Sequence, residues 1–247
     1  MALGAVLVVL AAGVAGQPSE RGSQGEPVLV LAELFTSEGC SSCPPADRLL
    51  ETLLTEQPIA GVQVVTLSEH VTYWDHQGWK DPFGAAQFTN RQKMYGLGFN
   101  LESIYTPQLV IDGSTEAVGS DERRIRSLLA AAARTPKPRL IVEATRKPDG
   151  SVSASASGPG LDAVSAHDGQ LWWAITEDNL VVEVKRGENA SRTLRHSGVV
   201  RRLLTNKDAG IVVPGQAEWQ RDNLRVVAFV QSNKTRRVLS VGFAPLR

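Results

Sequence analysis

Two cysteines, Cys40 and Cys43, are the only ones in a chain of 247 residues. They stand three positions apart in Gly39-Cys40-Ser41-Ser42-Cys43-Pro44-Pro45. Thiols at this spacing can close a disulfide across one turn, and the chemistry open to them is thiol–disulfide exchange. An apolar run, Val28 to Phe35, leads into the pair, and a stretch of helical periodicity, Ala46 to Leu54, leads out. A helix start after a strand suits a nucleophilic sulfur, because unpaired N–H groups and the helix dipole favour the thiolate. On this reading Cys40 attacks, and Cys43, one turn further in, resolves the mixed disulfide. Three other readings stay open. The pair is a structural disulfide, or half of a zinc site completed by His70 and His76, or a vestigial pair on a scaffold now used for binding.

The elements that must hold the cysteines follow from pattern. Val28 to Phe35 is apolar on both faces and reads as a central strand. The helix is predicted to begin around Ser42–Pro45, with Leu49, Leu50, Leu53 and Leu54 on its core face. Val62 to Leu67 is the next strand, and so short a strand–helix–strand unit implies a parallel pair with a right-handed crossover. An aromatic loop follows, containing His70, Tyr73, Trp74, Asp75, His76, Trp79, Pro82 and Phe83. It either caps the core edge or lines a groove beside the cysteines, with Trp74 and Trp79 as substrate-binding candidates. His70 is the candidate for proton transfer at the thiols, against the alternative of a structural histidine. Phe88 to Tyr95 is helical. Pro107 opens an apolar strand, where its missing N–H costs no ladder bond, and Thr106 before it is a further substrate-binding candidate. Asp112-Gly113 is a hairpin turn, Thr115 to Val118 pairs back, and Asp121 caps a helix from Glu122 to Arg134.

Thr135-Pro136-Lys137-Pro138 marks a linker, and β patterning takes over beyond it. Leu140–Thr145, Ser151–Ser157, Leu171–Thr176, Val181–Val184, Leu224–Gln231 and Val238–Phe243 are predicted strands, spaced as in an antiparallel sandwich. Trp172 and Trp173 must fall on opposite faces of theirs. The polar, basic stretch Arg186 to His196 is read as a solvated connection, with an anion or partner site as the alternative. The expected organisation is thus an α/β unit at 27–135, a linker at 136–139 and a β-rich unit at 140–247.

Charge and termini bound the function further. Net charge is zero, which gives no basis for nucleic-acid binding. Met1 to Gly16 is nearly all Ala, Val, Leu and Gly, too short to span a bilayer, and it ends in small residues. It reads as a signal peptide (1–16) followed by a flexible lead-in (17–26), although no Lys or Arg precedes Arg21. The expectation is a secreted or periplasmic protein with no stable membrane span after cleavage, in a compartment where a disulfide persists.

Longer motifs carry a resemblance. Glu33 to Asp47 (ELFTSEGCSSCPPAD), His70-Val71-Thr72-Tyr73-Trp74-Asp75, Gly78-Trp79, Asp81-Pro82-Phe83, Phe88 to Gln92, Tyr105-Thr106-Pro107-Gln108 and Gly187-Glu188-Asn189 together resemble a family of secreted bacterial proteins of unknown function, domain of unknown function 1223. The resemblance implies a thioredoxin-like fold for the first unit, Cys40 and Cys43 as a redox pair, and Pro107 as a cis-proline beside them. Thr72 departs from the acidic residue expected at that place. The leading expectation is an exported thiol–disulfide oxidoreductase acting on a protein or small-molecule disulfide or thiol, with a redox partner protein and neither an organic cofactor nor a metal. The alternatives are a non-catalytic binding protein stapled by Cys40–Cys43, and a metal carrier using the same cysteines.

Overall fold

The computed structural model describes Met1 and residues 26–246 except His167 and Lys207. The expected signal peptide beyond Met1 and residues 17–25 of the lead-in lie outside the described residues. In chain order the elements are β1 (Val28–Thr36), α1 (Pro44–Glu56), β2 (Val62–His70), α2 (Ala86–Gly98), β3 (Gln108–Ile111), β4 (Thr115–Val118), α3 (Glu122–Ala132), β5 (Ile141–Arg146), β6 (Val152–Ser157), α4 (Asp162–Ala166), β7 (Gly169–Glu177), β8 (Leu180–Glu183), β9 (Thr193–His196), β10 (Val199–Thr205), β11 (Gly210–Val213), β12 (Leu224–Ser232) and β13 (Val238–Pro245). No described helix is long and apolar enough to cross a membrane.

Eight strands form one sheet in the order β13-β12-β7-β10-β2-β1-β3-β4. β2 runs parallel to both β1 and β10, and the other neighbours are antiparallel. The sheet therefore continues across the linker expected at 136–139, with four strands from each side of it. β5, β6 and β11 make a second sheet. Its Val152, Ala154, Ile211 and Val213 pack with Trp173 and Ile175 of β7 and with Val226 and Ala228 of β12.

The period-two alternation of β1 sorts two cores. Val30, Ala32 and Leu34 face α1 and α3, meeting Leu50, Leu53, Ile125 and Leu129. Asp121 caps α3 as expected, accepting from the Arg124 N–H at 3.0 Å. On the other face Leu29 and Leu31 meet Val65 and Leu67 of β2, Phe88 of α2, and Val227 and Phe229 of β12.

That second face also carries charge. Arg91 of α2 is buried, its Nε 2.6 Å from Glu33 Oε2 on β1 and 3.4 Å from Glu69 Oε1 on β2. Its guanidinium lies over the rings of Trp172 on β7 and Phe229 on β12, and it donates to Gln231 Oε1 of β12 at 3.2 Å. One side chain can touch four strands of a single sheet only if that sheet curls. The curl brings β13 round to the end of β3, where the Val238 N–H donates to the Asp112 carbonyl at 2.9 Å. Gly113, at φ +61°, sits under this seam: a Cβ there would lie 2.0 Å from the Arg236 carbonyl oxygen. Trp172, stacked on Phe229, and the fully buried Trp173 occupy the opposite faces that alternation requires.

Tyr95 completes the network, donating to Glu33 Oε1 at 2.5 Å. Burial raises Glu69 well above the ordinary carboxylate range. Arg91 opposes that shift and the Glu33 carboxylate adds to it. Glu69 therefore keeps its proton where a free glutamate has lost it. Replacing Arg91 by Met leaves Glu33 buried and unpaired, and is expected to lower the unfolding free energy by about 3–5 kcal/mol in urea titrations. Glu69→Gln, which mimics the protonated form, should cost far less. Above the ordinary glutamate value of 4.5 the unfolded chain releases this proton and the folded chain holds it, so wild-type stability falls with rising pH. The variant should gain on the wild type over that range.

Candidate functional site

β1 delivers the chain to the loop Ser37–Ser42, and α1 starts immediately after it. Two successive tight bonds shape the loop: the Cys40 N–H donates to the Ser37 carbonyl at 3.1 Å and the Cys43 N–H to the Cys40 carbonyl at 3.2 Å. Cys40 and Cys43 form a disulfide, with Cys43 as the N-cap of α1. Both are fully buried, while Ser41 and Ser42 between them are exposed.

The helix start is poorer in donors than expected from sequence. Pro44 and Pro45 fill its first two positions and bring no N–H. The Ala46 and Asp47 N–H groups both turn back to the Cys43 carbonyl, at 2.8 and 3.2 Å. The Ser41 N–H is taken by Glu188 Oε2 at 3.0 Å. The stabilisation of a Cys40 thiolate anticipated from a bare helix N-terminus is correspondingly reduced.

The Thr106–Pro107 bond is cis. Gly119 lies between Pro107 and the first turn of α1: a Cβ on Gly119 would lie 3.1 Å from both Pro107 Cβ and Ala46 Cβ and 2.8 Å from Leu34 Cδ1. Gln92 of α2 holds the turn from the other side, donating to the Tyr105 carbonyl at 2.7 Å and to Gln108 Oε1 at 3.0 Å. Trp74 bridges the two halves of the site. Its Nε1 donates to Thr106 Oγ1 at 2.8 Å, and a Cβ on Gly39 would come within 2.9 Å of Trp74 Cβ. Trp79 turns its indole N–H inward to Glu38 Oε2 at 2.7 Å. Cys40, Cys43, Thr106, Pro107, Trp74 and Trp79 are thus gathered around one loop.

Behind the loop lies a buried set of titratable groups around His70. His70 Nδ1 is 2.7 Å from Asp81 Oδ2, which also accepts the Glu38 N–H at 2.8 Å. His196 stands edge-on to His70, with ring centroids 4.9 Å apart, and Phe83 packs edge-on against both. His196 Nε2 is 3.2 Å from Glu38 Oε1, and its Nδ1 is 3.8 Å from Asp47 Oδ2. Both contacts fall within ion-pair distance, and neither is a hydrogen bond. Thr36 donates to Asp47 Oδ1 at 2.8 Å. Burial pushes Asp47 up, and His196 and His70 only partly counter it. For the His70–Asp81 pair the balance goes the other way. Burial opposes both charges, but their mutual attraction outweighs it, holding His70 above and Asp81 below its ordinary value. His70 is sealed from solvent, so a direct exchange of its proton with bulk water is closed. Among the described residues no three His, Cys, Asp or Glu side chains converge as a metal site.

Sequence pattern missed the cover of this loop. The stretch 186–196, expected to be a solvated connection, is in part an anchored one. Asn189 is buried, and its Nδ2 donates to the Glu38 carbonyl at 2.8 Å and the Cys40 carbonyl at 2.9 Å. His196 is buried too. A polar, basic composition hides such a role, since the partners of Asn189 are backbone carbonyls nearly 150 positions away. The signal that could have found it is the Gly187-Glu188-Asn189 motif, whose glycine adopts φ +77° and packs on Trp79, 3.2 Å from a Cβ placed there to Trp79 Cβ.

Comparison with known proteins agrees with this architecture. The model of a family described as a protein of unknown function, DUF1223, matches residues 31–231. The crystal structure of protein AGR_C_4864 from Agrobacterium tumefaciens superposes with a TM-score of 0.68 at 24% identity, covering 90% of this chain and 96% of that one. HBP35 of Porphyromonas gingivalis superposes with a TM-score of 0.54 at 14% identity, covering 90% of this chain and 76% of that one. Both likenesses concern the fold alone. No curated protein matches the sequence.

The His70–Asp81 pair yields a signed pH prediction. The raised His70 contributes stability in full below its unfolded value of 6.5, and loses it as pH rises through the folded value. The lowered Asp81 contributes above its unfolded value of 3.8 and loses its share as pH falls. The cost of His70→Gln, measured by urea unfolding, should therefore be greatest between these two values and should shrink as pH is raised beyond 6.5.

Proposed function

The chain belongs to the DUF1223 family, and within it we propose the role of an exported thiol–disulfide oxidoreductase with a thioredoxin-like core. The observation that carries this reading is the juxtaposition at the start of α1: a Cys40–Cys43 disulfide at the helix cap and a cis Thr106–Pro107 whose proline shares Gly119 as a close neighbour with Ala46 of the same helix turn. The sub-order β2-β1-β3-β4, with α1 and α3 on one face, supports the thioredoxin-like assignment. An oxidising compartment fits a closed pair.

In the reducing direction, the Cys40 thiolate attacks a substrate disulfide. A bond forms from Cys40 Sγ to one substrate sulfur, the substrate S–S bond breaks, and the released thiolate takes a proton. The Cys43 thiolate then displaces the second substrate sulfur, closing Cys40–Cys43. The substrate gains the two electrons that the pair loses, and the thiols of a partner protein return them. Oxidation of a dithiol substrate is the same sequence reversed. Backbone groups at Thr106 are the proposed docking edge for the substrate chain, with Trp74 and Trp79 framing it. His70 acts at one remove, through Asp81 and the Glu38 peptide. The missing N–H groups of Pro44 and Pro45, with Glu188 on Ser41, leave a Cys40 thiolate with little support beyond the Ser42 hydroxyl, 3.3 Å from Cys40 Sγ. That disfavours a strongly oxidising pair, since strong oxidants are those whose reduced form is stabilised.

A second reading has its own observation. Both sulfurs are fully buried, as a structural disulfide in a binding protein would be. Redox titration against glutathione and dithiothreitol buffers, read by thiol labelling with Cys40→Ser as control, separates the two. A potential between about −120 and −270 mV is the expected result. One below about −300 mV, with neither sulfur reactive in the folded protein, would leave the binding protein as the better account.

A further inference from the structure

The disulfide is buried, yet exchange requires a sulfur to be approached along the S–S axis by an incoming thiolate. If the proposed redox reading holds, some part of the cover must open, and the hydrogen bonding singles out which.

β8 and β9 form a two-stranded ribbon that is a sheet of its own, inserted between β7 and β10 of the main sheet. Its base is anchored by the buried Leu180, Val184, Leu194 and His196. Its tip is bonded mostly to itself. The Ser191 N–H donates to the Val184 carbonyl at 2.8 Å, Ala190 to Gly187 at 3.1 Å, and Arg192 to Asn189 at 3.1 Å. Arg192 also donates to Asn189 Oδ1 at 2.9 Å, fixing the amide so that its Nδ2 faces outward from the tip. Among the described residues, the hydrogen bonds that leave the tip for the body of the protein are three, and all land on the cysteine loop. Asn189 Nδ2 reaches the Glu38 and Cys40 carbonyls, and Glu188 Oε2 receives the Ser41 N–H. A unit bonded largely within itself, hydrogen-bonded to the body only at the loop it covers and otherwise packed through Gly187 on Trp79, can lift without unfolding the sheet.

We propose that the 186–192 tip of the β8–β9 ribbon is the gate of the Cys40–Cys43 disulfide, with Asn189 as its latch. The inference rests on the redox reading and adds its regulation: a reductant meets the sulfurs at a rate set by the open fraction of the tip. Asn189 is a positioning residue here, since it holds the Cys40 and Glu38 peptides and takes no part in sulfur exchange. When the tip lifts, a thiolate of dithiothreitol bonds to Cys40 Sγ and the Cys40–Cys43 bond breaks. Cys43 leaves as a thiolate and takes a proton. The second dithiothreitol sulfur then closes its ring and releases Cys40, so the reagent loses two electrons and the pair gains them.

The test is the rate of reduction of the native full chain by dithiothreitol, read by mass after thiol labelling. Wild type, Asn189→Ala and Glu188→Gln are compared with Ile125→Val, a core change on the α3 side away from the tip. Asn189→Ala is expected to react about tenfold faster, from loss of two latch bonds. Glu188→Gln, at an exposed side chain that does not endanger folding, exchanges a charged acceptor of the Ser41 N–H for a weaker neutral one and should react about two- to fivefold faster. Ile125→Val should react at the wild-type rate. If wild type is readily reduced and both latch variants match it, or if Ile125→Val accelerates equally, the gate is refuted while the redox reading stands. If no variant is reduced faster than it unfolds globally, both are refuted.

Discussion

A guanidinium inside a protein must have its charge answered, and the shape of this molecule follows from how Arg91 is answered. Carboxylates are supplied by adjacent parallel strands, Glu33 on β1 and Glu69 on β2, while the aromatic faces and the amide come from β7 and β12 on the far side of β10. A flat eight-stranded sheet could not bring those strands within reach of one side chain. The curl that permits it also closes β13 against the end of β3 and seats α2 where Gln92 can hold the turn before Pro107. The ion network and the cis-proline are therefore fixed by neighbouring residues of one helix. With two carboxyls against one guanidinium, the balance closes by retaining a proton on Glu69, whose burial makes ionisation costly.

Local pattern carried a good part of this structure. The strand into the cysteine loop, the leucine stripe of α1, the proline opening β3 and the Asp121 cap each follow from a few adjacent residues and their stereochemistry. What local pattern could not carry is pairing between distant segments. The strand at 199–205 lies parallel to β2 and joins the two halves into one sheet, and nothing in its own residues names that neighbour. Glu33 sits unnoticed in a run read as apolar because its partner, Arg91, is 58 positions on. The same holds for the candidate site. The cysteines, Thr106 and Pro107 were legible because their chemistry is carried by residue type. Asp81 and His196 were not, because a buried titratable group is spelled like a solvated one until the fold places it.

The site also sets two electrostatic tendencies against each other. A helix N-terminus attracts negative charge, yet this one has prolines at its first two positions and is approached by Glu188, with Glu38 and Asp47 buried behind it. His70 and His196 stand among those acids, so compensation for the buried negative charge comes from imidazoles rather than from lysine or arginine. Burial works against charge on His70, and its pairing with Asp81 outweighs that, so the His70 imidazole holds its proton above its ordinary value.

The cover over the cysteine loop has a consequence in time as well as space. Cys40 and Cys43 are three residues apart, whereas Asn189 follows Cys40 by 149 positions. A chain emerging from its amino end presents both sulfurs long before the segment that closes over them has been made. Throughout that interval the oxidation state of the pair answers to whatever oxidants and reductants surround the nascent chain. Arrival of the β8–β9 ribbon ends the interval, when Asn189 closes on the Glu38 and Cys40 carbonyls.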